Sequence, residues 1–153
     1  MNRRTLLGGL GGLLATAECI GQLTPESAAI ESKELTAFDP EDTFYDEAPG
    51  VRDPPKIVFV EAETQVRVTG KLYVGSSTCK KAALKEASFN RQTDTLRLTV
   101  GSGDKENAGN SCTADESVDT YRAIITFRDQ LPQTVVATEE DEGAKTTAHP
   151  NGQ

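Results

Sequence analysis

Apolar and polar residues alternate in several short runs between residues 56 and 138, and this pattern constrains the fold most strongly. Alternation with a period of two places the apolar side chains on one face of a β-strand and the polar ones on the other. The apolar run at residues 57–60 is rich in β-branched side chains and predicts a first strand. Gly70 lies inside the alternating run at residues 66–74, and a glycine within a strand indicates a bulge or a close backbone approach. Alternation predicts four further strands at residues 66–74, 96–100, 121–127 and 134–138.

Residues 79–89 have a different composition. Alanine, leucine and long charged side chains dominate there, and they favour a helix of about two turns. The predicted order is therefore two strands, a helix and three strands, with connections short enough to favour antiparallel pairing and a hairpin between the last two strands. The sequence predicts a mainly β or α+β domain over residues 56–140, with a small antiparallel sheet of about five strands and one short helix.

The segments on either side of this domain lack apolar periodicity. Residues 19–55 are acidic and contain five prolines, and this composition predicts a disordered tether, within which a short helix at residues 26–35 is the open alternative. From Glu139, four consecutive acidic residues open a polar segment, so residues 141–153 are expected to be a disordered tail. One folded domain with one modest core therefore lies between two unstructured segments.

The first eighteen residues have the layout of an export signal. Arg3 and Arg4 directly precede an apolar run at residues 6–17 that consists of Leu, Gly, Ala and Thr. These twelve residues would rise about 18 Å as a helix, well short of the roughly 30 Å hydrocarbon core of a bilayer. We therefore interpret residues 1–18 as a cleaved signal rather than as a permanent membrane anchor.

Arg3, Arg4, the short Leu/Gly run and Cys19 together resemble the leaders of haloarchaeal twin-arginine lipoproteins. The resemblance covers about the first twenty residues. It implies cleavage just before Cys19 and a lipid on the Cys19 thiol, which anchors the protein to the outer face of the cytoplasmic membrane. Glu18 stands where such leaders usually have Gly or Ala, and an Ala-Thr-Ala sequence ending at Ala17 offers an ordinary cleavage site. Secretion after cleavage following Ala17 is therefore the alternative.

The chain contains three cysteines, an odd number for a protein outside the reducing cytoplasm. Lipidation of Cys19 leaves Cys79 and Cys112 as a pair. A bond between these two closes a loop of about 34 residues, for which chain entropy predicts a stabilisation of about 3 to 4 kcal/mol. A metal site is disfavoured because the only histidine, His149, lies in the predicted tail. We expect a disulfide that pins the short helix to the polar loop after the next strand.

Charge and composition exclude several functional classes. The chain has 16 Lys and Arg residues against 24 Asp and Glu residues, a net charge of -8, so it should repel nucleic acid. The predicted domain has no histidine and no unpaired thiol, so it lacks a nucleophile with its base and the ligands of a zinc, copper or redox site. The glycines at residues 101–103 lack the context of a phosphate-binding loop. The sequence therefore predicts no catalytic residues, no metal and no cofactor.

Basic residues on the polar side of the predicted strands interrupt this acidic character. If the strands are neighbours, the basic side chains form a cationic stripe. Such a stripe either balances nearby carboxylates or receives an acidic component of the cell envelope. The residues concerned are Arg67, Lys71, Arg97, Arg122 and Arg128.

Two functions remain open. The first is a non-enzymatic, lipid-anchored surface protein that binds a protein or envelope partner through the loop at residues 101–117 or through the outer sheet face. The second is a small carboxylate-dependent hydrolase or carbohydrate-active domain, which requires Asp and Glu residues clustered in a concave pocket. We expect the binding or structural module, because a domain of this size offers little cleft.

Overall fold

The computed structural model describes residues 29–38, 48–140 and 145–150. Within these ranges the chain forms eight β-strands and a single 3-10 turn at Glu61–Glu63. The fold is mainly β, as expected, but it has more strands than the five expected and forms no helix at residues 79–89. The strands are β1 (Ile30–Phe38), β2 (Lys56–Val60), β3 (Gln65–Gly75), β4 (Lys80–Asn90), β5 (Thr95–Asp104), β6 (Ser117–Phe127), β7 (Thr134–Glu139) and β8 (Lys145–Ala148).

The strands form two four-stranded sheets that pack face to face. Sheet A has the order β1-β6-β3-β2 and is antiparallel throughout. Sheet B has the order β4-β5-β7-β8, with two antiparallel outer pairs and a parallel central pair, β5 and β7. The prediction of one small antiparallel sheet is therefore wrong, and the architecture is a two-sheet sandwich.

The predicted hairpin between β6 and β7 is also wrong. β6 lies in sheet A and β7 in sheet B, so the connection at residues 128–133 carries the chain from one sheet to the other. β6 and β7 each have one apolar face, and both of these faces contribute side chains to the same core. Alternation reveals that a strand has a buried face, but it does not reveal whether the next strand pairs beside it or stacks against it.

The core lies between the sheets and contains the apolar faces that alternation predicts for β3, β5 and β6. On β4, Phe89 meets Phe127 of β6 edge to face, with ring centroids 5.5 Å apart, which ties sheet B to sheet A. All five predicted strands are confirmed as β2, β3, β5, β6 and β7. The buried side chains of β3, β5 and β6 are Val66, Val68, Leu72 and Val74, then Leu96, Leu98 and Val100, and then Tyr121, Ala123, Ile125 and Phe127.

Residues 80–90 form strand β4 where a helix is expected. A β-bulge between Leu84 and Glu86 shifts the pairing register by one residue. The core-facing side chains are therefore at even positions before the bulge, Ala82 and Leu84, and at odd positions after it, Ala87 and Phe89. The bulge hides the period of two, and the resulting spacing of apolar residues is closer to that of a helix.

Two strands lie outside the predicted domain boundaries. β1 falls in the segment expected to be a tether or, at residues 26–35, a short helix, and β8 falls in the expected tail. Both are outer strands of their sheets, with few buried side chains, so neither has enough apolar residues for a period of two to be recognised. The residues outside the described part of the chain are 1–28, 39–47, 141–144 and 151–153.

Charged side chains close the sandwich where the outer strands β1 and β4 come together. Lys33 of β1 donates from Nζ to the Ala87 carbonyl at 2.5 Å. Asp119 of β6 accepts the backbone N–H of Ala82 on Oδ2 at 2.8 Å. Unpaired backbone groups on an outer strand attract other strands, and charged side chains and bulges block such pairing. This side of the sandwich is therefore protected against the addition of another strand.

Gly70 allows a polar pair to lie inside the core. Tyr121 donates its hydroxyl to Glu139 Oε1 at 2.7 Å, and both residues are fully buried. A Cβ at position 70 would lie 2.6 Å from the Tyr121 hydroxyl and closer still to Glu139 Oε1, so the glycine marks a close approach rather than a bulge. Burial, together with the neighbouring Glu139 carboxyl, raises the pKa of Tyr121 far above its ordinary value.

Candidate binding surface

The strand directions give the sandwich two different ends. β1 runs from Ile30 at one end to Phe38 at the other, and the pairing fixes the direction of every other strand. We call the first end the base; it carries the β4–β5 turn and the β6–β7 connection. We call the other end the tip; it carries the β3–β4 connection at residues 76–79 and the β5–β6 loop at residues 105–116. The nine residues of β1 correspond to a separation of about 30 Å.

A disulfide joins the two connections at the tip. Cys79 and Cys112 are bonded, with their Cα atoms 5.6 Å apart. Cys79 is only 2% exposed, whereas Cys112 belongs to the exposed β5–β6 loop. The expected disulfide is confirmed, but it pins the loop to the residue that precedes strand β4 and not to a helix.

Backbone hydrogen bonds hold the beginning of the same loop. Lys105 donates its backbone N–H to the Cys79 carbonyl at 2.8 Å and its Nζ to the Ser77 carbonyl at 2.6 Å. Ala108 donates its N–H to the Lys105 carbonyl at 3.0 Å, which forms a turn. These bonds fix the beginning of the loop to the β3–β4 connection.

Hydroxyl groups and one carboxylate form a cluster at the far side of the disulfide. Thr113 donates its N–H to Thr78 Oγ1 at 3.1 Å, and the Ser76 and Thr113 hydroxyls are hydrogen-bonded at 2.9 Å. Ser77 donates its N–H to Asp115 Oδ1 at 3.2 Å, and the Thr113 hydroxyl donates to the same oxygen. Three of these bonds join residues 35 to 38 positions apart, so they hold the loop independently of the disulfide.

Asp115 is ionised within this cluster. Hydrogen bonds from Ser77 and Thr113 lower the pKa of Asp115 from 3.8 to about 2. The charged carboxylate and the surrounding hydroxyls therefore present hydrogen-bond acceptors and donors at fixed positions on an exposed surface.

An open cavity of about 560 Å³ lies beside the loop at the tip. Its wall combines two ammonium groups, two carboxylates, a hydroxyl, an amide and an aromatic ring, but the residues that line it include no imidazole and no thiol. The wall therefore offers hydrogen-bond donors and acceptors of both charges beside one aromatic face. The side chains concerned are Phe38, Thr78, Lys81, Lys105, Glu106, Asn107 and Asp119.

A second open cavity, of about 460 Å³, lies at the base. Asp94 and Asp129 contribute carboxylates to it, beside Arg91 and Gln130. Asp94 has a left-handed backbone conformation with φ of 49°, and its Oδ1 is buried without a hydrogen-bond partner in the described part of the chain. Two carboxylates on a concave surface are the minimum that the hydrolase alternative requires.

The five basic residues do not form one stripe. Arg67, Lys71 and Arg122 share the outer face of sheet A, whereas Arg97 lies on sheet B and Arg128 in the connection at the base. Arg67 is paired with Glu63 at 2.5 Å. The guanidinium of Arg122 lies over the Phe38 ring, 5.7 Å from its centroid. The cationic surface is therefore smaller than alternation suggests, because the strands that carry it belong to two sheets.

Arg3, Arg4 and Cys19, which the sequence assigns to export and lipidation, lie outside the described residues. In residues 29–38, 48–140 and 145–150, no helix is long and apolar enough to cross a membrane. The same ranges contain no group of three or more His, Cys, Asp or Glu side chains that could hold a metal ion. His149 lies at the base, where its Nδ1 is 2.9 Å from the Gln133 carbonyl oxygen.

Comparison with known proteins finds no relative. No protein-family model, no curated protein and no solved structure matches this chain. The geometry of the tip and the base is therefore the basis for a functional proposal.

Several residues that shape the tip are not recognisable from the sequence. Thr113 and Asp115 have partners on residues 76–78, which lie 35 to 38 positions earlier in the chain, and no local pattern in the sequence indicates these contacts. Asp119 lies on the inward side of β6, where alternation would place an apolar side chain, and it binds a backbone group of β4. The one available signal is the high content of serine and threonine beside both cysteines.

Proposed function

We propose that this protein is a non-enzymatic binding module, exported by a twin-arginine signal and anchored by a lipid on Cys19, whose tip contacts a protein or envelope partner outside the cell. The observation that carries the proposal is the ordered tip loop, which one disulfide and a cluster of hydrogen bonds hold against the β3–β4 connection. A loop that is ordered before binding loses less conformational entropy when a partner docks. Binding residues are commonly found on loops that a rigid scaffold positions.

The position of the anchor supports the tip as the binding end. Ala29 lies at the base and follows Cys19 by ten positions in the sequence. Ten residues span at most about 35 Å, so a lipid on Cys19 holds the base within that distance of the membrane. The tip, about 30 Å farther along the sandwich, is the end that can extend farthest from the membrane, and we propose that it is directed toward the partner.

The charges of the chain limit the kind of partner. The net charge is -8, and the tip cavity combines Lys81 and Lys105 with Glu106 and Asp119. A polyanion would be repelled by the chain as a whole and would find no concentrated positive surface at the tip. A protein with both charges, or a neutral envelope component rich in hydroxyl groups, fits the mixed donors and acceptors of the tip better.

Site-specific photo-crosslinking in native membranes tests the binding end. A photoreactive residue replaces Asn107 in the tip loop or, as the control, Thr93 in the exposed turn at the base. At high salt, the Asn107 position should give a reproducible adduct with one partner and the Thr93 position should give little or none. Equal adducts at both positions, or no adduct at the tip, would contradict the proposal.

Intact-mass measurement of the membrane fraction tests the anchor. We expect a chain that begins at Cys19 and carries the added mass of a lipid. A chain that begins at Glu18 without an adduct would show that the signal is cut after Ala17 and that the protein is secreted.

The carboxylate-dependent hydrolase is a second candidate, and the base cavity favours it. Asp94 and Asp129 line that cavity, and one oxygen of Asp94 is buried without a partner among the described residues. On this alternative, Asp94→Asn and Asp129→Asn would each abolish hydrolysis of a glycan, whereas Asp115→Asn at the tip would not. A screen of glycan substrates in which the unmodified protein releases no sugar would remove this candidate.

A further inference from the structure

Strand β2 is the outer strand of sheet A on the side opposite β1. Within the described ranges, its backbone pairs with β3 and with no other segment. The second edge of β2 therefore presents N–H and C=O groups that a further strand can pair with.

The side chains of β2 are apolar on both faces of the sheet. Ile57 and Phe59 pack against the core and are only half-buried, and in the described part of the chain no strand pairs with the outer edge of β2. Val58 points to the outer face and is 41% exposed, the one exposed large hydrophobic side chain in the described residues. An added strand would cover apolar surface on both faces at once.

The two sides of the sandwich differ in protection. The β1 and β4 side is blocked by Lys33, by Asp119 and by the bulge of β4. β2 has one charged residue, Lys56, at its first position and no bulge in its pairing with β3. Natural proteins use such charges and bulges to prevent strand addition, so their absence within β2 indicates an edge that tolerates a partner strand.

We infer that β2 pairs with β2 of a second copy of this chain, antiparallel, about a two-fold axis that passes through the two Val58 residues. In this register Ile57 lies opposite Phe59 of the other copy, an aromatic and β-branched pair of the kind that stabilises sheets. Lys56 lies opposite Val60, so no like charges face each other. Arg67, which neighbours Val58 on β3, is neutralised by Glu63 at 2.5 Å. The strand is therefore complementary to itself, as a two-fold interface requires.

The expected association is weak and depends on salt. A five-residue strand buries less area than the roughly 1,600 Å² of a standard protein interface. Each copy also carries a net charge of -8, which opposes association. The Debye length falls from about 10 Å at 0.1 M salt to about 3 Å at 1 M, so concentrated salt removes most of this repulsion. The dimer should therefore strengthen as salt increases.

The pairing has a geometric consequence. Antiparallel strands direct the two bases, and with them the two Ala29 residues, to opposite ends of the dimer. This consequence rests on the proposed lipid anchor, although the pairing itself does not. Two copies anchored in the same membrane therefore do not form this β2–β2 pair. Copies on two facing membranes, or copies released from the membrane, can form it.

Sedimentation analysis of the full chain in solution tests the inference. The chain carries Cys19→Ser, so that neither a lipid nor an intermolecular disulfide contributes. We expect a monomer–dimer equilibrium that appears below about 1 mM protein and is tighter at 1 M than at 0.1 M salt. A chain that is monomeric under all these conditions would overturn the inference, and it would leave the crosslinking test of the tip unaffected.

A charge exchange at position 58 tests the register. Val58→Lys and Val58→Glu each place like charges opposite each other, so each variant alone should dimerise about fivefold or more weakly at 0.1 M salt. An equal mixture of the two should restore association, because opposite charges then meet. Thr36→Lys, an exposed position on the outer strand β1, is the control and should leave association unchanged. Failure of the mixture to restore the dimer, or an equal effect of Thr36→Lys, would contradict pairing through β2.

Discussion

Gly70 makes room for two polar groups inside an otherwise apolar core. The Tyr121 hydroxyl and the Glu139 carboxyl occupy the space that a Cβ at this position would need. Gly70→Ala should therefore lower the free energy of unfolding by about 1–3 kcal/mol, because overpacking forces one of the two groups out of place. Urea unfolding measures the loss. Gly109→Ala is the control, since a Cβ there would meet no atom closer than 4.0 Å; an equal loss in both variants would contradict this account.

Asp115 makes the stability of the tip depend on pH. Its folded pKa of about 2 lies below its ordinary value of 3.8, so the ionised carboxylate stabilises the folded state above about pH 4, and this contribution is lost as the pH falls toward 2. Asp115→Asn should be less stable than the unmodified protein at neutral pH, and the difference should shrink through this window. Unfolding midpoints measured across the pH series test this, with Glu116→Gln at the exposed neighbouring position as the control. A difference that stays constant down to pH 2 would show that the carboxylate charge is not involved.

Strands β2, β3, β5, β6 and β7 are predictable from this sequence, whereas β1, β4 and β8 are not. β3, β5 and β6 lie inside their sheets and show clear alternation, so their inward residues follow from the sequence. The sequence predicts a helix in place of β4, because one bulge shifts the apolar residues from even to odd positions and hides the alternation. β1 and β8 are missed because an outer strand buries few side chains, and the backbone pairing that holds it leaves no mark on the sequence.

The disulfide is the element that most strongly restrains the tip loop. Bonding Cys79 to Cys112 removes chain entropy from the unfolded state, which corresponds to a stabilisation of about 3–4 kcal/mol. A reducing agent should therefore lower the melting temperature by about 10 °C or more. Calorimetry with and without the reducing agent measures the shift, and Cys112→Ser should reproduce it without any reagent. An unchanged transition would mean that the bond does not form in the purified protein.

At the scale of the whole molecule, the arrangement of the strands determines which surface is available for binding. The sequence indicates a disulfide and a polar loop, and residues 1–18 predict export, which stays a prediction. It does not indicate that β6 and β7 belong to different sheets, because short connections join both paired and stacked strands. The distinction between base and tip, and with it the expected orientation on a membrane, depends on that topology.

The whole-molecule account can be tested in intact cells with a membrane-impermeant maleimide. The central claim is that the domain lies outside the cytoplasmic membrane with its tip directed away from it. Cysteines introduced as Asn107→Cys at the tip and Thr93→Cys at the base occupy exposed positions, and the chain without an added cysteine gives the background. We predict that Asn107→Cys is labelled on intact cells and faster than Thr93→Cys, and that the two rates become equal after solubilisation in detergent. Labelling of neither position until the cells are lysed, or equal rates on the intact membrane, would contradict the account.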